Sequence, residues 1–406
     1  MNWKLIRIID SLAGIPLIRL ISLFVRPRRS GTLRSADGSP QKILLVKFWG
    51  IGNIFMMIPS IRALQDTFPK AEFDFLTLEN NRDALTTLKL FNRITTIDTS
   101  SVLKFFGSWK AAVNDLTAAR YDIAIDFDQF ARFSALITFQ AGAHRSIGFS
   151  TIGQHRHHLY SSTVEYDDHM HITRSFYSLV AAAGVRHPFS VEIRLDNMDT
   201  LRSIGMRLLQ DHGISRNKLI AVMHIGTSHN FKERRWSPAQ YAALADLLAE
   251  RFGMLIVMTG LPDETILIAE AKQHLKHARQ VLDLGGRLSF SDYFALMSVA
   301  DLVISADTAT VHIASAVNTP AVGFYGPNTP HLYGPWRANG LALYSGFDCS
   351  PCITNFNGKI HTCRHPEGRG ACMNAITVER AFKEIEDHYL RARAPWLLQK
   401  LKESPV

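Results

Sequence analysis

Two separate series of short, nearly continuous apolar runs are the feature that most restricts how this chain folds. KILLVK (42–47), AEFDFLTL, RITTIDT and YDIAIDF make the first, and KLIAVMHIG (218–226), MLIVMTG, VLDLGG, DLVIS and PAVGFYG make the second. Short apolar runs bounded by turn residues read as strands buried on both faces. Helical patterns lie between them: IFMMIPSIRALQDTF, a stretch near 80–90, then 103–119, 237–252, 263–276, 289–299 and 308–317. Strands alternating with helices at this spacing build a parallel sheet with helices on both faces. Two such series predict two doubly wound α/β domains, over 42–205 and 206–406, and a chain of 406 residues is too long for one core.

The net charge of +9 first suggests a nucleic-acid surface, but its distribution argues against one. Up to Ser35, Lys4, Arg7, Arg19, Arg26, Arg28, Arg29 and Arg34 face only Asp10, which leaves about +3 for the rest of the chain. The basicity belongs to the segment WKLIRIIDSLAGIPLIRLISLFVRPRR. Its charges break every apolar run, so it is no membrane-spanning helix, and no cleavage site follows a continuous apolar stretch. A basic amphipathic helix with the tether SGTLRSADGSPQ (30–41), together making up 1–41, fits an anionic membrane surface or a packing site on the protein's own body.

Ligands of open α/β sheets lie beyond the carboxyl ends of the strands. After DLVIS comes ADTATVHIASAVNTPAVGFYGP, where Asp307 or Thr308 caps a helix that starts at once. Backbone N–H groups at such a start favour phosphate, and the Asp307 carboxylate suits a sugar hydroxyl. Ala309 opens the helix and His312 lies one turn in. After KLIAVMHIG comes GTSHNFKERRWSP, in which Gly226, Thr227 and Ser228 offer amides and small side chains. Lys232, Arg234 and Arg235 supply cations for a diphosphate, or form an ordinary solvated face. After KILLVK comes FWGIGNIFMMIP, where Gly50 and Gly52 permit a tight turn and Asn53 reads as a helix cap. The spacing is neither G-x-G-x-x-G nor a P-loop.

In this order, KILLVKFWGIGNIFMMIPSIRALQDTFP, GTSHNFKERRWSP and DLVISADTATVHIASAVNTPAVGFYGP resemble glycosyltransferase family 9, the ADP-heptose:lipopolysaccharide heptosyltransferases, over most of 42–385. The resemblance implies a GT-B fold, two Rossmann-like domains facing across a cleft, with the nucleotide sugar on the C-terminal one. It implies an inverting, metal-independent transfer to a glycolipid acceptor at the cytoplasmic face of the inner membrane, with no catalytic cofactor. The family's donor motif then falls on Asp307, Thr308 and His312, with Ala309 where glycine is usual, and its basic position falls on Arg234. After Gly52 the family commonly has an aspartate general base, where this chain has Asn53. An amide takes up no proton at neutral pH, so either another carboxylate serves or Asn53 only positions the acceptor. Asp128 and Asp126, after YDIAI, are the candidates, and Arg132, one helical turn on, suits an anionic acceptor. A non-catalytic glycan-binding protein and a sugar-nucleotide epimerase are the alternatives.

Cys349, Cys352, Cys363 and Cys372 follow a C-x2-C-x10-C-x8-C pattern, which admits a structural zinc, with His361 as a substitute ligand, or simply packed thiols. His155, His157 and His158 read as a polar loop rather than a metal site.

Overall fold

The computed structural model describes residues 10, 14, 16, 18–21, 39–193, 195–214, 218–227, 232–353 and 363–390. Contacts divide the chain into two compact units, Met1–Ile193 and Arg194–Val406.

In the first unit, β1 (Lys42–Val46), α1 (Ile51–Met56), α2 (Ile58–Thr67), β2 (Glu72–Leu78), α3 (Arg82–Leu88), β3 (Arg93–Ile97), α4 (Val102–Ala119), β4 (Ile123–Asp126), α5 (Arg132–Gln140), β5 (Arg145–Ser150), β6 (Ser162–Glu165) and α6 (Ile172–Ala183) follow one another. The strands are ordered β3-β2-β1-β4-β5-β6, all parallel. Ile43, Leu44, Leu45 and Val46 are fully buried in β1, the outcome its apolar run requires.

The second unit runs α7 (Met198–Asp211), β7 (Ile220–His224), α8 (Pro238–Phe252), β8 (Leu255–Thr259), α9 (Thr265–Gln273), β9 (Val281–Asp283), α10 (Phe290–Val299), β10 (Leu302–Ala306), α11 (Ala309–Ala316), β11 (Ala321–Tyr325), β12 (Gly340–Tyr344) and α12 (Val378–Ile385). Its sheet, β12-β11-β10-β7-β8-β9, repeats the topology of the first. Ser237 starts α8 with a capping box: its hydroxyl accepts from Gln240 N at 3.2 Å. Trp236, just before it, is fully buried, donates to Ile376 O at 2.8 Å, and packs on Tyr241 and Phe324. The sequence-based boundary at 205/206 falls inside α7. The division lies at Ile193/Arg194, because α7 packs on α10 and so belongs with the second sheet.

Candidate functional site

In both sheets the chain reverses its direction of winding at the central pair, β1/β4 in one unit and β7/β10 in the other. Connections leave such a pair in opposite directions, which opens a crevice at the carboxyl ends of the strands. Most of the residues singled out above lie at these two ends.

In the second unit, Arg234 and Asp307 meet at the β7/β10 end. Arg234 Nη1 donates to Asp307 O at 3.1 Å and lies 3.5 Å from its Oδ2. Asn328 Nδ2 donates to the same oxygen at 2.9 Å and thus orients a carboxylate that is only 6% exposed. Thr308, the N-cap of α11, accepts from Thr310 N at 3.3 Å and is bonded to Ser305 Oγ at 2.9 Å, so the helix begins at Ala309 as expected. His312 is buried one turn in. Thr227 is buried and accepts from Arg235 Nε at 3.2 Å, whereas Lys232 is exposed. Ser228 lies outside the described residues.

Glu264, Asn328 and Tyr293 also lie at this end, and no local sequence pattern marks them. A Cβ on Gly226 would stand 1.8 Å from Glu264 Oε2, so glycine there lets a buried carboxylate lie directly against the strand end. Glu264 accepts from Leu261 N at 2.8 Å and lies 3.9 Å from His224 Nε2. Burial holds the His224 imidazole down at about 4, so it is neutral at pH 7. His224 Nδ1 is 3.3 Å from Thr259 Oγ1, and Tyr293 OH is bonded to Thr310 Oγ1 at 2.6 Å. An acid after the second strand is the place from which doubly wound domains bind ribose hydroxyls. In sequence, Glu264 lies in the helical stretch 263–276 with no local motif to mark it.

In the first unit, Lys47 Nζ lies 2.6 Å from Asp128 Oδ1 and 3.1 Å from Gln129 Oε1. Phe48 N donates to Asp128 Oδ2 at 2.6 Å. Asp126 is wholly buried and accepts from Arg156 Nη2 at 2.7 Å, Tyr160 OH at 2.6 Å and Asp128 N at 2.9 Å. Lys47 and Arg156 were missed; the signal for Lys47 was a cation closing an otherwise apolar strand. Asn53 is not the helix cap. Gly50 is, at φ 84°, a left-handed conformation that favours glycine, while Gly52 and Asn53 lie inside the first turn of α1. Asn53 Nδ2 lies 3.5 Å from Trp49 O.

Arg132, at the start of α5, is 7% exposed and paired with Asp10, whose Oδ2 lies 3.3 Å from Arg132 Nη1. Asp10 Oδ1 also accepts from the Arg132 and Phe133 backbone N–H groups, both at 2.9 Å, and so caps α5 from a distant part of the chain. Ile18 is fully buried among Ala135, Leu136, Leu159 and Tyr160. The described part of the N-terminal segment therefore packs on the protein's own body. Among the described residues, no helix is long and apolar enough to cross a membrane.

Cys349 is exposed, Cys352 and Cys363 half-buried and Cys372 buried, all as free thiols. Burial, then the other three thiols, push Cys372 up to about 11. Among the described residues no group of three His, Cys, Asp or Glu is arranged to hold a metal, and His361 lies outside them.

A family model described as glycosyltransferase family 9 (heptosyltransferase) matches residues 109–361. Lipopolysaccharide heptosyltransferase 1 of Salmonella typhimurium is 22% identical over 339 residues, covering 79% of this chain and 100% of that protein. The glycosyltransferase family 9 structure from Veillonella parvula superposes with a TM-score of 0.72 at 17% identity, covering 86% of this chain and 97% of that one. An E. coli heptosyltransferase solved with ADP-2-deoxy-2-fluoro heptose gives 0.64 at 19% identity, covering 86% and 99%. These neighbours share the GT-B arrangement of two parallel α/β sheets.

Proposed function

The chain belongs to glycosyltransferase family 9, and from that membership we propose that it moves a heptose from a nucleoside diphosphate to a lipopolysaccharide-core acceptor. The transfer inverts the anomeric centre and uses no catalytic metal. It takes place at the cytoplasmic face of the inner membrane, where the basic N-terminal segment favours an anionic lipid surface. The observation that carries this reading is the Arg234–Asp307 pair at the β7/β10 strand ends, beside the start of α11.

In this proposal the second unit holds the donor. Arg234, Lys232 and the amides at the start of α11 face the diphosphate, with Gly226, Thr227 and Ser228 beside it. Asp307 and His312 orient the donor, Thr308 and Ala309 set the helix start, and Glu264 accepts from a ribose hydroxyl. The first unit holds the acceptor near Gly52, with Asn53 positioning it and Arg132 shaping the wall through Asp10. Asp128 takes the proton of the acceptor hydroxyl, exchanging one of its present donors for that hydroxyl. Asp126, satisfied by three donors and wholly buried, positions the loop instead. The acceptor oxygen forms its bond to the anomeric carbon as the bond to the diphosphate breaks, and the cations stabilise the departing charge. Membership of an enzyme family does not favour the binding-protein and epimerase alternatives.

Calorimetric titration of the full chain with ADP-heptose tests the donor site. Charge-assisted contacts of this kind make Asp307→Ala and Arg234→Ala each weaken binding by about 10- to 100-fold. Unchanged affinity in both variants would defeat the assignment.

A further inference from the structure

Beyond the ends of β5 and β6 the first unit has a cavity of about 530 Å3, lined in part by Ser150, Thr151, His155, His157, Thr163 and Glu165. None of these side chains has a role in the transfer step above. The volume suits a monosaccharide with a substituent, since small-molecule sites run to roughly 300–1,000 Å3.

The loop that carries the histidines is anchored at two points. Thr151 Oγ1 donates to Gln129 O at 2.7 Å, and the fully buried Arg156 binds the Asp126 carboxylate and the Asp128 carbonyl. With Arg156 held inside, His155 stays half-exposed while His157 and His158 stay at the surface. The ring centroids of His157 and His158 are 4.0 Å apart, and His155 lies 6.4 Å from the first and 6.2 Å from the second. His155 has φ 58°, a left-handed conformation that a non-glycine residue adopts at a cost. Arg19 Nη2 reaches His155 Nε2 at 3.1 Å.

Two imidazoles, His155 and His157, thus line the cavity, with His158 beside His157, Arg19 on His155, Arg132 close enough to act on His155, and Glu165 as the acid of the lining. Burial, then Arg19, His158 and Arg132, hold His155 below the usual imidazole range, and burial, then His158 and His155, do the same for His157. A neutral imidazole offers one N–H, and an anion beside it lets it take a second proton, because the anion offsets the repulsion among the cations.

We propose that this cavity binds a sugar bearing a phosphate or carboxylate group, with His155 and His157 donating to the anion and taking up protons as it binds. Ser150 and Thr163 add hydroxyl donors, and Glu165 accepts from a sugar hydroxyl. Through Arg156 the occupied cavity abuts the loop that holds Asp126 and Asp128. The cavity's residues belong to the first unit and Arg234 and Asp307 to the second, so its failure leaves the donor reading untouched, and the reverse holds.

The test uses the full chain and inorganic sulfate, whose charge is constant across the imidazole range, by calorimetry in buffers of unlike ionisation heat. The wild type should bind sulfate about tenfold more tightly near pH 6 than near pH 8, with proton uptake, and His155→Gln/His157→Gln should lose both effects. Glucose 6-phosphate should bind where glucose does not, and Glu165→Gln should weaken glucose 6-phosphate but not sulfate. Phosphatidic acid vesicles, against phosphatidylcholine, separate a lipid headgroup from a soluble sugar phosphate: pelleting that the double variant loses assigns the anion to lipid, and glucose 6-phosphate binding without pelleting assigns it to a soluble ligand. Equal sulfate affinity in wild type and double variant, or heats that do not depend on the buffer, would overturn the proposal.

Discussion

Lys47 and Asp128 form a 2.6 Å ion pair in which the side chains are 1% and 2% exposed, although 81 residues separate them in the chain. Phe48 N takes the other carboxylate oxygen, so Asp128 is gripped by the strand end of β1 from both sides. Lys47→Met leaves that carboxylate buried without its cation, and removing one partner of a buried pair costs about 3–5 kcal/mol. Chemical denaturation should show that loss. Asp128→Asn keeps the shape but removes the proton acceptor, so the rate of transfer should fall at least about 100-fold. Donor affinity should hold, because the donor residues belong to the other unit; a near-normal kcat would remove Asp128 from the mechanism.

Gly226 and Glu264 share too little space for any other pairing. A methyl group on Gly226 would land 1.8 Å from Glu264 Oε2, so in Gly226→Ala the buried carboxylate must swing away. Such crowding costs about 1–3 kcal/mol of stability. If Glu264 also meets the donor, ADP-heptose affinity should drop together with Tm, whereas Glu264→Gln, which keeps the shape, should lower affinity alone. Loss of Tm with donor affinity intact in both would confine Glu264 to structure.

Most strands were legible in the sequence, edge strands β3 and β9 included, whereas β5, β6 and β12 were not. β1 and β10 carry the apolar runs Ile43–Val46 and Leu302–Ile304 because they lie inside their sheets, whereas β6 and β12 lie at the sheet edges. STVE alternates half-buried and exposed residues and leaves no apolar run, while GLALY is a short run with a single fully buried position. RSIGFS was missed for another reason: Gly148 sits in its middle, where a Cβ would collide with the Tyr160 ring. Asp307 could be found because strand, cap and helix are adjacent in sequence. Glu264, Asn328 and Lys47 gain their meaning from partners far along the chain, which local pattern does not carry.

His224 makes the second unit sensitive to acid. Its imidazole takes a proton near 6.5 when unfolded and only at about 4 when folded, because burial penalises the cation. Above about pH 6.5 both states are neutral and the group is indifferent. As pH falls from 6.5 towards 4, the unfolded chain binds a proton that the folded chain refuses, and stability declines by at most about 3 kcal/mol. Glu264, 3.9 Å away, favours the imidazolium and makes the real decline smaller. Denaturation of wild type and His224→Gln at pH 7 and pH 4.5 should show a steeper loss in the wild type; parallel losses would mean that His224 is solvated.

Asp10 ties the N-terminal segment to the start of α5 by three contacts: two backbone N–H groups and the Arg132 guanidinium. Asp10→Ala removes a helix cap, worth about 0.5–2 kcal/mol, and leaves a nearly buried guanidinium without its acid. The two effects act on one carboxylate and do not simply add, so a total of about 2–3 kcal/mol is the expected loss. Asp10→Asn retains a cap oxygen and gives up mainly the charge, so it should recover about half of that difference. Because Ile18 is buried against α5 a few residues further on, the loosened segment should also become open to protease near residue 20. Urea denaturation together with limited trypsin cleavage at Arg19 reads both effects, and an Asp10→Ala chain as stable and as resistant as the wild type would show that Ile18 alone holds the segment down.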